Sequence, residues 1–315
     1  MRFTATAATL AMATTVSAHA QVYGLWVNGE DQGDGRNTYI RSPENNSPVK
    51  DLTTADIVCN VNGGKAAPKF AKAAAGDELT FEWYHNTRGD DIIDGSHKGP
   101  IITYIAPYTE DAGTGAIWTK IAQDGINGGE WAVDKLIKDK GMAKVTIPSA
   151  LKAGKYLIRQ EIIAGHEANV AFSEDSARGA QFYPSCAQVE ITGSGTAVPD
   201  QDFDFNTGYK YTDKGIVFDV YGGATSYDFP GPAVWEGASS GSGSGSGSGS
   251  APAPTSPAAQ ETSAAAAPTP TFETVVKPSE EAAAPTQAPS TPVTPPKTGC
   301  SSRRRRARRA ARNAL

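Results

Sequence analysis

Residues 78–84 alternate with the period of a half-buried strand. Leu79, Phe81 and Trp83 share one face, and Glu78, Thr80, Glu82 and Tyr84 share the other. The runs 144–147, 156–163, 186–191 and 216–221 behave similarly. Turn signals such as Asn28-Gly29, Asn62-Gly63-Gly64 and Gly222-Gly223 separate these runs. Only 128–140, around Trp131, Leu136 and Ile137, suggests a short helix. Many short strands joined by long glycine-rich loops predict an all-β chain. The expected architecture is an immunoglobulin-like or fibronectin-type β-sandwich with long loops and short helices.

The patterning occupies residues 19–235 and changes after Trp235. Residues 240–250 alternate Ser and Gly, and 251–297 are rich in Pro, Ala, Thr and Ser. Such composition cannot bury enough apolar surface to offset the entropy of ordering, so 236–297 reads as a disordered linker. Residues 298–315 form an arginine-rich tail, with seven arginines between Arg303 and Arg312. Its role is left open by the sequence, as is that of Cys300. At the other end, Arg2, the mildly apolar run Ala7 to Val16 and the small residues Val16-Ser17-Ala18 read as a signal peptide over 1–18. No stretch has the length a transmembrane helix needs. A secreted, extracellular, monomeric protein is expected.

That compartment changes the reading of the cysteines. Of the three, Cys59 and Cys186 fall inside the patterned region and are placed to form one disulfide. The triplet Asn45-Asn46-Ser47 is an acceptor for an N-linked glycan, although Pro48 behind it lowers occupancy. Residues 19–235 carry 19 basic and 29 acidic side chains, a net of −10. An acidic body argues against a nucleic-acid partner and suits a neutral polymer.

The chain has four histidines: His19, His85, His97 and His166. Cleavage after Ala18 would make His19 the first residue. Its α-amino group and ring Nδ1 would then form a chelate, and a second histidine would add a third nitrogen. Nitrogen donors in a plane suit copper. The α-amino pKa lies near 8, so a metal displaces its proton at neutral pH. Cleavage after Ala20 also fits the small-x-small rule and would delete His19. Residue chemistry alone leaves both open.

Six segments carry a resemblance. They are His19-Ala20-Gln21-Val22 with Trp26-Val27-Asn28-Gly29, Arg41-Ser42-Pro43, Asp94-Gly95-Ser96-His97-Lys98-Gly99-Pro100, Tyr156 through His166, Gly179-Ala180-Gln181-Phe182-Tyr183-Pro184-Ser185-Cys186, and Thr212 through Pro232. In this order they resemble the fungal lytic polysaccharide monooxygenases of auxiliary activity family 9. The resemblance covers 19–235 and favours the cut after Ala18. It implies one copper per chain on His19 and His97, with Tyr183 on the metal axis. It implies that His166 and Gln181 stand behind the ligands, where they orient an oxygen species and pass a proton. The family places no ligand at His85.

The implied reaction is oxidative cleavage of cellulose or a related β-1,4-glucan at C1, C4 or both. It consumes O2 or hydrogen peroxide and needs an external electron donor. Tyr209 and Tyr211 fall where the family often carries a sugar-stacking aromatic, and Tyr227 is a further candidate. Three other readings stand beside this one: a glycoside hydrolase, a non-catalytic secreted copper binder, and a carbohydrate-binding sandwich without metal. No carboxylate pair stands out for the first. An intact His19 opposes the third, and His166, Gln181 and Tyr183 oppose the second.

Overall fold

The structure, a computed structural model, describes residues 19–238. The signal peptide read at 1–18, the linker from 239 onward, the arginine-rich tail and Cys300 lie outside the described residues. Twelve strands run in chain order: β1 (Gln21–Val27), β2 (Glu30–Asp31), β3 (Ile40–Arg41), β4 (Ala71–Ala74), β5 (Glu78–Tyr84), β6 (Ile101–Pro107), β7 (Thr119–Asp124), β8 (Ile126–Asn127), β9 (Glu130–Trp131), β10 (Met142–Thr146), β11 (Gly154–Ala164) and β12 (Gln181–Thr192). Three short helices join them: α1 (Asp56–Cys59), α2 (Ala132–Lys138) and α3 (Phe205–Gly208). One sheet has the order β10-β5-β1-β2, and the other β3-β12-β11-β6-β7 with β4 parallel to β12. The all-β sandwich expected from the pattern is therefore the fold.

Its inner core is made by alternate side chains of both sheets. Leu25, Leu79, Phe81 and Trp83 from one sheet share a cluster with Ile105, Ile158, Ile162, Tyr183 and Val189 from the other. Burying each large apolar side chain is worth about 1.5–3 kcal/mol, so this face fixes which way every strand is turned. The second sheet is buried on its outer face too. Ile102, Tyr104, Leu157, Ile163 and Phe182 lie beneath Leu52, Trp118, Phe203, Phe205 and Tyr209 from the loops. That is why β11 and β12 are buried along almost their whole length, polar residues included.

The first sheet departs from simple alternation. Thr80, Glu82 and Tyr84, expected on the solvent face of β5, are buried. Trp26 Nε1 donates to Glu82 at 2.6 Å, and Arg88 Nε donates to the same carboxylate at 2.6 Å. The Arg88 guanidinium also caps the Tyr23 ring, 4.6 Å from its centroid. A charged clasp therefore covers the polar face.

Three local expectations are corrected. The helix expected over 128–140 is shorter. Gly128 and Gly129 take φ of 60° and 86°, the two-residue turn of the β8–β9 hairpin, and the helix begins at Ala132. The run 216–221 is not a strand but a chain of turns, because its apolar residues cap the outer face of the second sheet. The linker expected from 236 does not begin there, since Glu236–Ala238 form a 3-10 turn and Trp235 and Ala238 pack on the core.

Cys59 and Cys186 form the expected disulfide, with Cα atoms 5.4 Å apart across 127 residues of sequence. It ties α1 to β12 inside the outer cluster. The chain in which both cysteines are alanine is expected to lose about 2–4 kcal/mol of stability, read as a lower urea midpoint than the parent. Equal midpoints would show that the bridge adds nothing to this fold.

Candidate metal centre

Four elements deliver side chains to one end of the sandwich. His19 stands immediately before β1. His97 lies in the 85–100 loop that leads from β5 to β6. His166 follows the end of β11, and Gln181 and Tyr183 open β12. Ala164 pairs with Gln181 and Ile162 with Tyr183, so the last turns of β11 bring His166 beside them.

The rings converge. The His19 and His97 centroids are 6.3 Å apart, edge to face. Tyr183 lies 6.0 Å from His19 and 6.1 Å from His97. His166 lies 4.1 Å from His97. The Tyr183 hydroxyl donates to Gln181 Oε1 at 2.7 Å, and Gln181 Nε2 meets His166 Nε2 at 3.2 Å. With Gln181 donating, the hydrogen of neutral His166 falls on Nδ1, a buried atom with no partner among the described residues.

The His97 loop is held from three sides. The Lys98 carbonyl accepts the Gly165 N–H at 2.8 Å, which links it to the turn carrying His166. Lys98 Nζ reaches Asp134 at 2.8 Å, and the same carboxylate accepts the Trp131 N–H at the start of α2. The backbone of Gly99 runs so close to Ile163 that an added Cβ would sit 1.9 Å from its carbonyl oxygen, so only glycine fits.

The chemistry of the donor set fits a resident metal ion. His97 is 3% exposed, yet its Nε2 is buried without a hydrogen-bond partner. A buried nitrogen left unpaired is costly unless something else uses its lone pair. Burial, then the neighbouring His166, holds the His97 pKa down at about 4. Burial also lowers His19 and His166. Neutral imidazoles are the form a metal binds. Burial pushes the Tyr183 phenol up, so it keeps its proton.

A second group, His85 with Asp90 and Asp91, has metal-ligand composition. Its chemistry is already spent. The Asp90 carboxylate accepts the N–H groups of His85, Asn86, Thr87 and Ile92, and Asp91 bonds His85 Nδ1 at 2.9 Å. It organises the loop after β5.

The three tyrosines expected to face sugar turn inward. Tyr209 is 2% exposed, and its hydroxyl bonds to Glu161 beneath the loops. Tyr211 is half-buried, its hydroxyl donating to the Lys50 carbonyl at 3.0 Å. Tyr227 is half-buried among Trp131, Phe218 and Phe229, with its hydroxyl on the Gly215 carbonyl. All three serve the aromatic cover of the second sheet. The exposed tyrosine is Tyr221, 58% accessible, whose hydroxyl donates to the Ser96 carbonyl at 2.9 Å, next to His97. The strand reading of 216–221 hid it. The adjacent Gly222-Gly223 turn was the available signal.

A β-sandwich with clustered neutral histidines at one end of its sheets, beside an exposed aromatic, is the plan of a surface metalloenzyme. Auxiliary activity family 9, formerly glycoside hydrolase family 61, matches residues 19–228, and the chain belongs to that family. It is 54% identical over 246 residues to AA9 family lytic polysaccharide monooxygenase A of Collariella virescens, covering 76% of this chain and 90% of that one. It is 50% identical over 245 residues to AA9 family lytic polysaccharide monooxygenase B of Emericella nidulans, covering 76% of this chain and 66% of that one. The chain thus spans just under two thirds of that longer relative. The solved structure of CvAA9A superposes with a TM-score of 0.68 at 56% identity, over 70% of this chain and 99% of that one. Cel61B from Hypocrea jecorina, a glycoside hydrolase family 61 member, gives 0.58 at 32% identity, over 69% and 100%. The family is one of metal-dependent oxidoreductases.

The depressed His97 pKa carries a sign. The unfolded chain takes up this proton below pH 6.5, and the folded chain resists it until about pH 4. His97 therefore stabilises the metal-free fold above pH 6.5, and that contribution is lost as pH falls towards 4. The loss is at most about 3 kcal/mol. Thermal melts of metal-free protein between these limits are expected to fall more steeply for the parent than for His97→Gln. Parallel curves would contradict the assignment.

Proposed function

We propose that this chain is a secreted, copper-dependent monooxygenase that breaks β-1,4-glucan chains oxidatively, cellulose first among them. The observation that carries the reading is the buried Nε2 of His97, which has no hydrogen-bond partner among the described residues, on a ring whose centroid lies 6.3 Å from that of His19. Removal of residues 1–18 would free the α-amino group of His19. That nitrogen, His19 Nδ1 and His97 Nε2 would then hold the ion, a nitrogen set suited to copper. When bound, copper supplies the one-electron reaction with O2 or hydrogen peroxide that no side chain offers, fed by an external electron donor.

The remaining roles belong to the protein. Tyr183 commits its proton to Gln181, so it would meet a bound ion as a neutral phenol and not as a strong ligand. Gln181 fixes the tautomer of His166 and leaves Nδ1 as the atom that can hold or pass a proton beside His97. Tyr221 offers its face to a glucose ring and is tethered to the residue before His97. The centre lies at one end of the sandwich, where β11 ends and β1 and β12 begin, a position that suits a polymer that cannot be threaded. His166, Gln181 and Tyr183 form one hydrogen-bonded chain that metal storage alone would not require.

The test is release of oxidised oligosaccharides from cellulose by the copper-loaded full chain with a reductant. Product is expected only when reductant is present, and none from His97→Ala. His166→Ala is expected to lose about 10–100-fold in rate. Tyr221→Ala is expected to bind less cellulose with its copper content unchanged. Reductant-independent release of unoxidised sugars would instead mark a hydrolase. Bound copper with no product would mark a non-catalytic binder.

A further inference from the structure

Asn45-Asn46-Ser47 is the sole Asn-x-Ser/Thr triplet in the sequence. The fold leaves the acceptor open. Asn45 and Ser47 are both exposed. Asn45 Oδ1 accepts the Ser47 N–H at 2.8 Å, closing a tight turn, while its Nδ2 donates to nothing among the described residues. The next residue is used in the opposite way. Asn46 is half-buried, and its Nδ2 donates to the His85 carbonyl at 3.0 Å and reaches Asn86 Oδ1 at 3.4 Å. The Ser47 carbonyl accepts from Asn60 at 3.4 Å. The turn is therefore pinned at Asn46 and Ser47, with the Asn45 side chain on its outer side. The anchor leads towards the metal centre. His85 follows Tyr84, the last residue of β5, and Tyr84 pairs with Gln21 of β1, two residues from His19.

We infer that Asn45 carries an N-linked glycan and that this glycan borders the polysaccharide-binding face. The inference rests on the secreted reading given under Proposed function. In the transfer, Asn45 Nδ2 bonds to the anomeric carbon of an oligosaccharide carried on a lipid diphosphate. The bond from that carbon to the diphosphate oxygen breaks, the lipid diphosphate leaves, and one amide proton is released. Nothing is oxidised or reduced. Pro48 lowers the efficiency of transfer, so the secreted protein is a mixture of glycosylated and bare chains. The bulky, hydrated glycan takes up area next to Asn86, and the bare chains bind an insoluble glucan more tightly.

The experiment uses the full chain with its own leader, secreted by a fungal host. Peptides are mapped with and without peptide N-glycosidase in heavy-oxygen water, and the N-terminus is read from the same digest. Part of the Asn45 peptide is expected to appear as labelled aspartate after the enzyme, and none of it in Ser47→Ala. Only unmodified Asn45 in a protein that starts at His19 would overturn the inference and leave the proposed function standing. A start at Met1 would overturn the secreted reading itself. Asn45→Gln is expected to raise the bound fraction on insoluble cellulose by about twofold over the glycosylated parent. Equal binding would overturn the placement of the glycan at the active face.

Discussion

The pairing of β11 with β12 is the constraint on which the rest depends. Eleven consecutive residue pairs run from Gly154 with Ile191 to Ala164 with Gln181. Side chains alternate faces along a strand, so a slip of one residue would move every one of them to the other side. Tyr183 would leave the inner core, and Gln181 would lose His166. The centre is therefore precise only because a long, doubly buried strand pair is in register.

That register is enforced on the outer face of the sheet. Arg159 and Glu161 are fully buried and paired at 2.8 Å. Arg159 also donates to the carbonyls of Val58 at 2.6 Å and Ile57 at 2.8 Å, and Tyr209 bonds Glu161. A buried ion pair costs desolvation, which its other hydrogen bonds must offset. Here those bonds come from α1 and from the segment after α3, with Arg159 Nη1 left unpartnered among the described residues, so the pair fits one arrangement of strand and loops. The Cys59–Cys186 bridge ties the same helix to the same sheet. Function at one end of the sandwich is thus secured by polar and covalent locks in the middle of it.

Much of this was legible in the sequence. Alternation along 78–84 gave β5 residue for residue, and the strand period read over 156–163 gave the body of β11. His19, His97, His166, Gln181 and Tyr183, named from their motifs, stand together in space. What stayed hidden depended on long-range packing. Nothing local says that Glu82 is buried under Arg88, since that contact needs Trp26 from another strand. Nothing local separates an aromatic that covers a sheet from one that meets solvent. Tyr209 and Tyr221 are both loop tyrosines near glycine, and only the surrounding loops decide that one bonds Glu161 and the other faces outward.

In the proposed function, His19 and His97 hold one copper ion through three nitrogens. Electron paramagnetic resonance of the mature protein, titrated with one equivalent of Cu(II), tests it most directly. A single tetragonal signal with coupling to nitrogen from both residues is expected, simplified by His97→Ala. A signal that lacks imidazole nitrogen coupling, or one unchanged by His97→Ala, would place the copper elsewhere and contradict it.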